Sequence, residues 1–284
     1  MTPIWLRRFT KFVAASTLFL IFAGAMVTST GSGLAVPDWP LSYGMVMPPM
    51  VGGIFYEHGH RMIAATVGFL TVLQAIWLQL REPKRRARIL GWCSVGAVIA
   101  QGLLGGLTVL FLLPPAISIA HAGLAEIFFC LNVSIAVVTH GSLRSTRPNF
   151  LLPAIVYAQI LLGALMRHLG AGLAIPDFPL SFGRLVPELT SPAIAVNFAH
   201  RAGALVVLIA ILIAARRRMT VSLLSIVALQ IALGALTVWS GKNPIITSLH
   251  VMTGAATLAM TLIYALTDPA PEQAGALVAS EAPA

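Results

Sequence analysis

Four of the seven histidines, His60, His121, His200 and His250, fall at corresponding ends of long apolar stretches. Imidazole is costly in lipid unless it turns into a bundle interior toward a partner, and facing helices are where bundles build cofactor sites. Two neutral imidazoles facing each other suit heme iron. Zinc asks for three or four ligands with thiolate or carboxylate help, whereas the chain offers these histidines two at a time. Arg61 and Arg201 directly follow two of them, but about 100° further around a helix. There they can pair with heme propionates, or snorkel to lipid headgroups or to Asp38 and Asp177.

One acidic residue breaks the symmetry of this set. Glu57 lies three residues before His60, on nearly the same helix face, and the residue three before His200 is Asn197. One histidine pair thus has a carboxylate beside it and the other does not. Such a group serves acid-base work or stabilises developing positive charge. Glu126, five residues beyond His121, is an ionisable group at depth and reads either as a functional suspect or as a neutral, hydrogen-bonded carboxyl. His58, His140 and His168 are expected to be solvated. Met45, Met47 and Met50 are soft donors that could take copper or pack into an interface.

Apolar residues make up 58% of the 284-residue chain and charged ones 10%, so there is too little polar surface to cover a water-soluble globule. A spanning helix needs roughly 20 apolar residues. Eight stretches qualify, near 9-30, 60-80, 89-111, 117-139, 150-167, 194-215, 220-240 and 246-266. The net charge of +9 would suggest nucleic acid in a soluble protein, but its placement argues for topology. Arg7, Arg8 and Lys11 precede the first stretch. Arg81, Lys84, Arg85, Arg86 and Arg88 follow the second, Arg144 and Arg147 the fourth, and Arg216, Arg217 and Arg218 the sixth. The positive-inside rule then puts both termini in the cytoplasm of a cell with the protein in its inner membrane, and the histidines toward the outer face. Membrane lipid is the expected surrounding, and nucleic acid is excluded as a partner. Cys93 and Cys130 lie within predicted helices, and no CxxC site is present.

The chain repeats itself. Gly31 to Gly44 (GSGLAVPDWPLSYG) matches Gly170 to Gly183 (GAGLAIPDFPLSFG), His60-Arg61 matches His200-Arg201, QGLLGGLTV from Gln101 matches QIALGALTV from Gln230, and His121 matches His250. Each half holds an even number of crossings, so both have one orientation. The expected fold is an all-α integral membrane protein of eight transmembrane helices, arranged as two tandem four-helix bundles about a pseudo-two-fold axis along the membrane normal. The halves are 1-147 and 148-267. The remainder, 268-284, rich in Ala, Pro and Glu, is expected to be a disordered cytoplasmic tail. The Gly/Pro-punctuated loops carry aromatics suited to the interface and read either as lids or as rigid connectors.

Together, Glu57-His-Gly-His60-Arg61, the duplicated Gly-x-Gly-Leu-Ala-x-Pro-Asp-aromatic-Pro loops, and His121, His200 and His250 resemble the heme A synthase family. The likeness extends over all eight predicted helices. It implies an enzyme that oxidises a ring methyl of heme O to the formyl group of heme A for cytochrome oxidase assembly. It also implies a resident heme b on His200 and His250 with Arg201, and substrate heme O on His60 and His121 with Arg61, beside a catalytic Glu57. Heme O synthase, cytochrome oxidase assembly factors and an electron acceptor of unknown identity are the partners it suggests. Many bacterial members carry a cysteine pair in the first outer loop, which this chain lacks. The alternative on the same four histidines is a diheme b-type electron-transfer protein without ring chemistry.

Overall fold

The computed structural model describes residues 2–143, 148–214 and 220–267. Arg144, Arg147, Arg216, Arg217, Arg218 and the expected tail lie outside the described residues. Among these residues the secondary structure is helical, with two isolated bridges in loops and no strand. The helices are α1 (Ile4–Ser29), α2 (Gly53–Arg81), α3 (Arg85–Leu110), α4 (Pro115–His140), α5 (Leu151–His168), α6 (Pro192–Ala214), α7 (Thr220–Trp239) and α8 (Pro244–Thr267). All eight are long and apolar enough to cross a membrane, and the protein is a multi-pass membrane protein. Each begins or ends much as its sequence dictates. Proline opens α4, α6 and α8, where its missing N–H costs nothing. Gly141 closes α4 with φ of 74°, a left-handed cap that glycine adopts freely.

The spans agree with expectation except at the start of α2. That helix begins at Gly53, seven residues before the sequence estimate, so Glu57 and His60 both sit within its first turns.

Packing concentrates on α4 and α8, the two most buried helices. Phe129, Val133 and Val137 of α4 meet Ala255, Ala259, Leu262 and Leu266 of α8, with Leu18 and Ile21 of α1 against them. The first half has its own cluster of Leu6, Leu78, Ala87, Ile135 and Val138. The second has Leu152, Val156, Val207, Ile211, Leu223 and Leu258. Outward-facing Phe12, Phe19, Phe69, Ile99, Leu205 and Ile213 are exposed, as lipid-facing side chains must be. A polar node ties the first half: Gln74 Nε2 and Ser94 Oγ donate to Asn132 Oδ1 at 2.9 and 3.3 Å, and Asn132 Nδ2 reaches the Phe128 carbonyl at 3.1 Å and Thr17 Oγ1 at 3.5 Å. Hydrogen bonds of this kind are the glue between membrane helices.

Among the described residues Arg7, Arg8, Lys11, Arg81, Lys84, Arg85, Arg86 and Arg88 lie at one end. Lys84 Nζ donates to the carbonyl of Val138 at 2.5 Å, a cation on the electronegative end of α4. Arg7, Lys11 and Lys84 all act electrostatically on His140 at that end. The two long loops, 30–52 and 169–191, lie at the opposite end with the four histidines.

Candidate functional site

The two loops share their central turn. Asp38 accepts the N–H groups of Tyr43 and Gly44 at 2.7 and 2.8 Å, and Asp177 those of Phe182 and Gly183 at 2.8 and 2.9 Å. Tyr43 and Phe182 take φ of 54° and 55°, the left-handed conformation each turn requires. Peptide bonds Trp39–Pro40 and Phe178–Pro179 are cis. These N–H groups hold both carboxyls below their ordinary value of 3.8, since a carboxylate that accepts backbone N–H bonds favours its charged form.

Arg61 and Arg201 lash these loops down. Arg61 donates through Nη1 to the carbonyls of Asp38 (2.8 Å) and Leu41 (3.0 Å), and through Nη2 to that of Val36 (3.0 Å). Arg201 repeats the pattern on Asp177 (2.7 Å), Leu180 (3.0 Å) and Ile175 (2.8 Å). Of the destinations open at the sequence level, the terminal nitrogens thus reach the Asp38 and Asp177 region, through main-chain oxygens. The loop aromatics complete the closure. A Cβ on Gly106 of α3 would lie 2.7 Å from the Trp39 ring, and Phe178 packs edge-on against Trp239 of α7 at 6.1 Å.

Under each loop stand the histidines, on even-numbered helices, and each imidazole lies over a glycine of the preceding helix. A Cβ on Gly24, Gly105, Gly163 or Gly234 would meet Cε1 of His60, His121, His200 or His250 at 3.0, 3.2, 2.8 and 3.1 Å respectively. The rings are therefore seated where a larger residue would push them off. His200 and His250 face each other, ring centres 6.4 Å apart and planes at 79°. A metal–imidazole bond of about 2 Å, plus roughly 1 Å from nitrogen to ring centre, taken twice, spans about 6 Å. The spacing fits one metal ion ligated from both sides. His60 and His121 lie within electrostatic reach of each other, and Nδ1 of each is buried without a hydrogen-bond partner. Among the described residues no group of three or more His, Cys, Asp or Glu is placed to hold a metal ion, and paired imidazoles are the ligand set that heme iron takes.

A glutamine one turn before three of these glycines was not singled out from the sequence. Gln101 Nε2 donates to the His121 carbonyl at 2.9 Å and lies 3.3 Å from its Nε2. Gln159 Nε2 donates to the His200 carbonyl at 2.7 Å and lies 3.1 Å from its Nδ1. His250 Nδ1 lies 3.1 Å from the backbone carbonyl of Gln230. The signal was present as Gln-x-x-x-Gly on α3, α5 and α7, inside runs that read as ordinary small-residue packing.

Glu57 is buried, with Oε2 accepting the Val36 N–H at 2.8 Å and Oε1 accepting Arg61 at 2.7 Å. Asn197 is also buried and donates to the carbonyls of Ala171 (2.8 Å) and Gly172 (3.2 Å). Both positions pin the start of their loop, one with a charge and one without.

Three expectations change. His58 is not solvated but buried, its Nδ1 2.8 Å from Ser42 Oγ, because the first loop folds back over the start of α2. His140 and His168 are partly buried rather than free in solvent. Glu126 is buried on α4 with Oε2 unpartnered and acts electrostatically on Cys130 and Tyr157.

Comparison with known proteins gives a consistent result. The chain is 32% identical over 227 residues to the heme A synthase of Shouchella clausii, covering 73% of this chain and 74% of that protein. It is 32% identical to the heme A synthase of Symbiobacterium thermophilum over 70% of each chain, and 28% identical to that of Staphylococcus saprophyticus over 87% and 88%. A family model described as cytochrome oxidase assembly protein (COX15-CtaA) matches residues 7–262. With paired imidazoles, duplicated loops and eight spans all accounted for within that match, the chain belongs to the cytochrome oxidase assembly protein family.

Proposed function

We propose that the protein is a heme A synthase, oxidising a ring methyl of heme O to the formyl group of heme A. The observation that carries this reading is the pair of histidine sites, alike in seat and lid, of which one alone has a buried carboxylate, Glu57, where the other has Asn197. A pure electron carrier would have no use for that difference.

In this assignment His200 and His250 ligate a resident heme b, which when bound supplies a one-electron relay. His60 and His121 receive heme O. Conversion of the methyl to a formyl group takes up one water and releases four electrons and four protons, so a membrane electron acceptor is required. Glu57, beside His60, stabilises the positive charge that develops on the oxidised ring carbon or accepts a proton as water adds. Its carboxylate is fixed by Val36 N–H and Arg61 and needs no reorganisation to do so. Arg61 and Arg201 contribute to heme binding by holding each loop closed over its site, which excludes water. The apolar surround of α1 to α4 suits the macrocycle and its hydrophobic tail.

The two halves are proposed as 1-147 and 148-267, related by the two-fold axis that the repeat implies, with the loops and histidines at the outer face of the cell membrane and both termini cytoplasmic. Heme O synthase and cytochrome oxidase assembly factors are the proposed suppliers and consumers of its hemes.

Expression in a membrane that makes heme O but no heme A, followed by pigment extraction and separation, tests the reading. A formyl-bearing heme supports it. Heme b alone with no formyl product would favour a diheme electron carrier.

A further inference from the structure

We propose that His60 is the imidazole that lets go: the first-half site exchanges its heme by opening at His60, because no neighbouring helix clamps that ring. The inference rests on the heme reading above and concerns how this chain's own residues divide a fast site from a slow one.

The four seats are alike in their glycines and differ in what holds the ring. The side-chain amides of Gln101 and Gln159 lie 3.3 and 3.1 Å from His121 Nε2 and His200 Nδ1, and the backbone carbonyl of Gln230 lies 3.1 Å from His250 Nδ1, so each of these rings is held from the preceding helix. Each glutamine is one helical turn before the seat glycine: Gln101 and Gly105, Gln159 and Gly163, Gln230 and Gly234. On α1 the same spacing from Gly24 reaches Leu20, whose side chain offers neither donor nor acceptor. Nδ1 of His60 and of His121 are both buried with no partner among the described residues, but His121 keeps its Nε2 contact with Gln101 at 3.3 Å and His60 has no such second hold.

A second difference points the same way. Gln159 fits against α6 because Gly203, three residues past His200, has no side chain; a Cβ there would overlap the amide. Three residues past His60 stands Ile63. The seat of His60 thus lacks the glutamine and, unlike that of His200, the space for it, and Leu20 and Ile63 are both partly buried side chains.

Outer hydrogen bonds fix a ligating imidazole's orientation and raise its basicity, and losing one typically costs about 10–100-fold in affinity for the metal. His60 pays that penalty by construction. When it leaves, the bond to iron breaks with both electrons remaining on the imidazole nitrogen, so no redox partner or proton is consumed. His121, held by Gln101, keeps the heme in register while the other face opens. A substrate site must release its product every turnover, whereas a resident cofactor must not leave, and the second half has both of its rings clamped.

Heme transfer to excess apomyoglobin tests this on the purified full-length protein loaded with hemin at both sites. The unsubstituted protein is expected to lose heme in two phases, and the fast one persists in His250→Ala, which assigns it to the first half. Leu20→Gln combined with Ile63→Gly should slow the fast phase about tenfold and leave the slow phase unchanged, which also shows that the protein remains folded. Gln159→Leu should accelerate the slow phase by a similar factor. Two bound hemes released at rates indifferent to these substitutions would overturn the inference and leave the heme reading intact. Failure to bind hemin at all would overturn both.

Discussion

Glu57 and Arg61 meet at 2.7 Å across one turn of α2, both largely withdrawn from solvent, and the same guanidinium holds three carbonyls of the loop above them. The acid and the lid are therefore one mechanical unit. Arg201 holds its loop with the same three bonds but has Asn197 in place of the acid.

Glu57→Gln retains an acceptor for Val36 N–H and removes the charge. Formyl-heme production in the heme O background should fall at least about tenfold, while the heme on His200 and His250 keeps its absorbance. Full product yield from Glu57→Gln would assign the residue to loop anchoring alone, the part that Asn197 plays in the other half.

Gly163→Ala places a methyl 2.8 Å from Cε1 of His200. The ring must move off its seat, and affinity for the second-half heme should drop about 10–100-fold, read as loss of Soret absorbance during purification. Gly96→Ala on α3, where an added Cβ meets nothing within 4 Å, is the matched control and should leave both hemes bound. Equal behaviour of the two variants would sink the seat argument.

The carboxyls of Asp38 and Asp177 are held below 3.8 by the Gly44 and Tyr43 N–H groups, and by those of Gly183 and Phe182. A depressed folded value means that the bonds contribute fully above 3.8 and are lost as pH falls through the lowered value. Amide hydrogen exchange at Tyr43, Gly44, Phe182 and Gly183, corrected for its intrinsic pH dependence, should stay slow at neutral pH and accelerate only below 3.8. Asp38→Asn should bring faster exchange to Tyr43 and Gly44 at neutral pH and spare Phe182 and Gly183. Uniform exchange across pH 3 to 7, about the range that brackets the transition, would contradict the turn as described.

Asn132→Leu removes the acceptor shared by Gln74 and Ser94, both fully buried. The orphaned amide should cost about 1–2 kcal/mol, seen as a lower thermal midpoint in detergent with unchanged heme spectra. A midpoint equal to that of the parent would mean the node is dispensable.

The duplicated loop could be read from sequence almost entirely, because Pro, Asp and Gly each fix a backbone feature and the two copies repeat the same types. The histidines were legible for a related reason: imidazole in an apolar run has few bland explanations. Gln101, Gln159 and Gln230 were not, since an amide next to glycines looks the same whether it faces lipid headgroups, another helix or a ring. His58 was misjudged because its partner Ser42 is supplied by the loop's fold and not by local spacing. The early start of α2 was less legible because Glu57 and His58 interrupt the apolar run that begins with Ile54, Phe55 and Tyr56, and Val36 and Ser42, which they contact, come from the loop.

Ser29 at the end of α1 receives Arg167 of α5 at 2.7 Å and stands 3.0 Å from Ser248 of α8, while Arg167 also reaches the Ala25 carbonyl at 2.9 Å. Ala25 adjoins the seat of His60, and Ser248 lies two residues before His250. The seam between the halves is thus riveted at the level of the imidazoles, and Tyr157 of α5 adds a bond to the Gly123 carbonyl of α4 at 3.3 Å. In the proposed assignment this rivet ties the two histidine sites directly to each other, so the separation of their hemes is a property of the folded chain and does not depend on the loops.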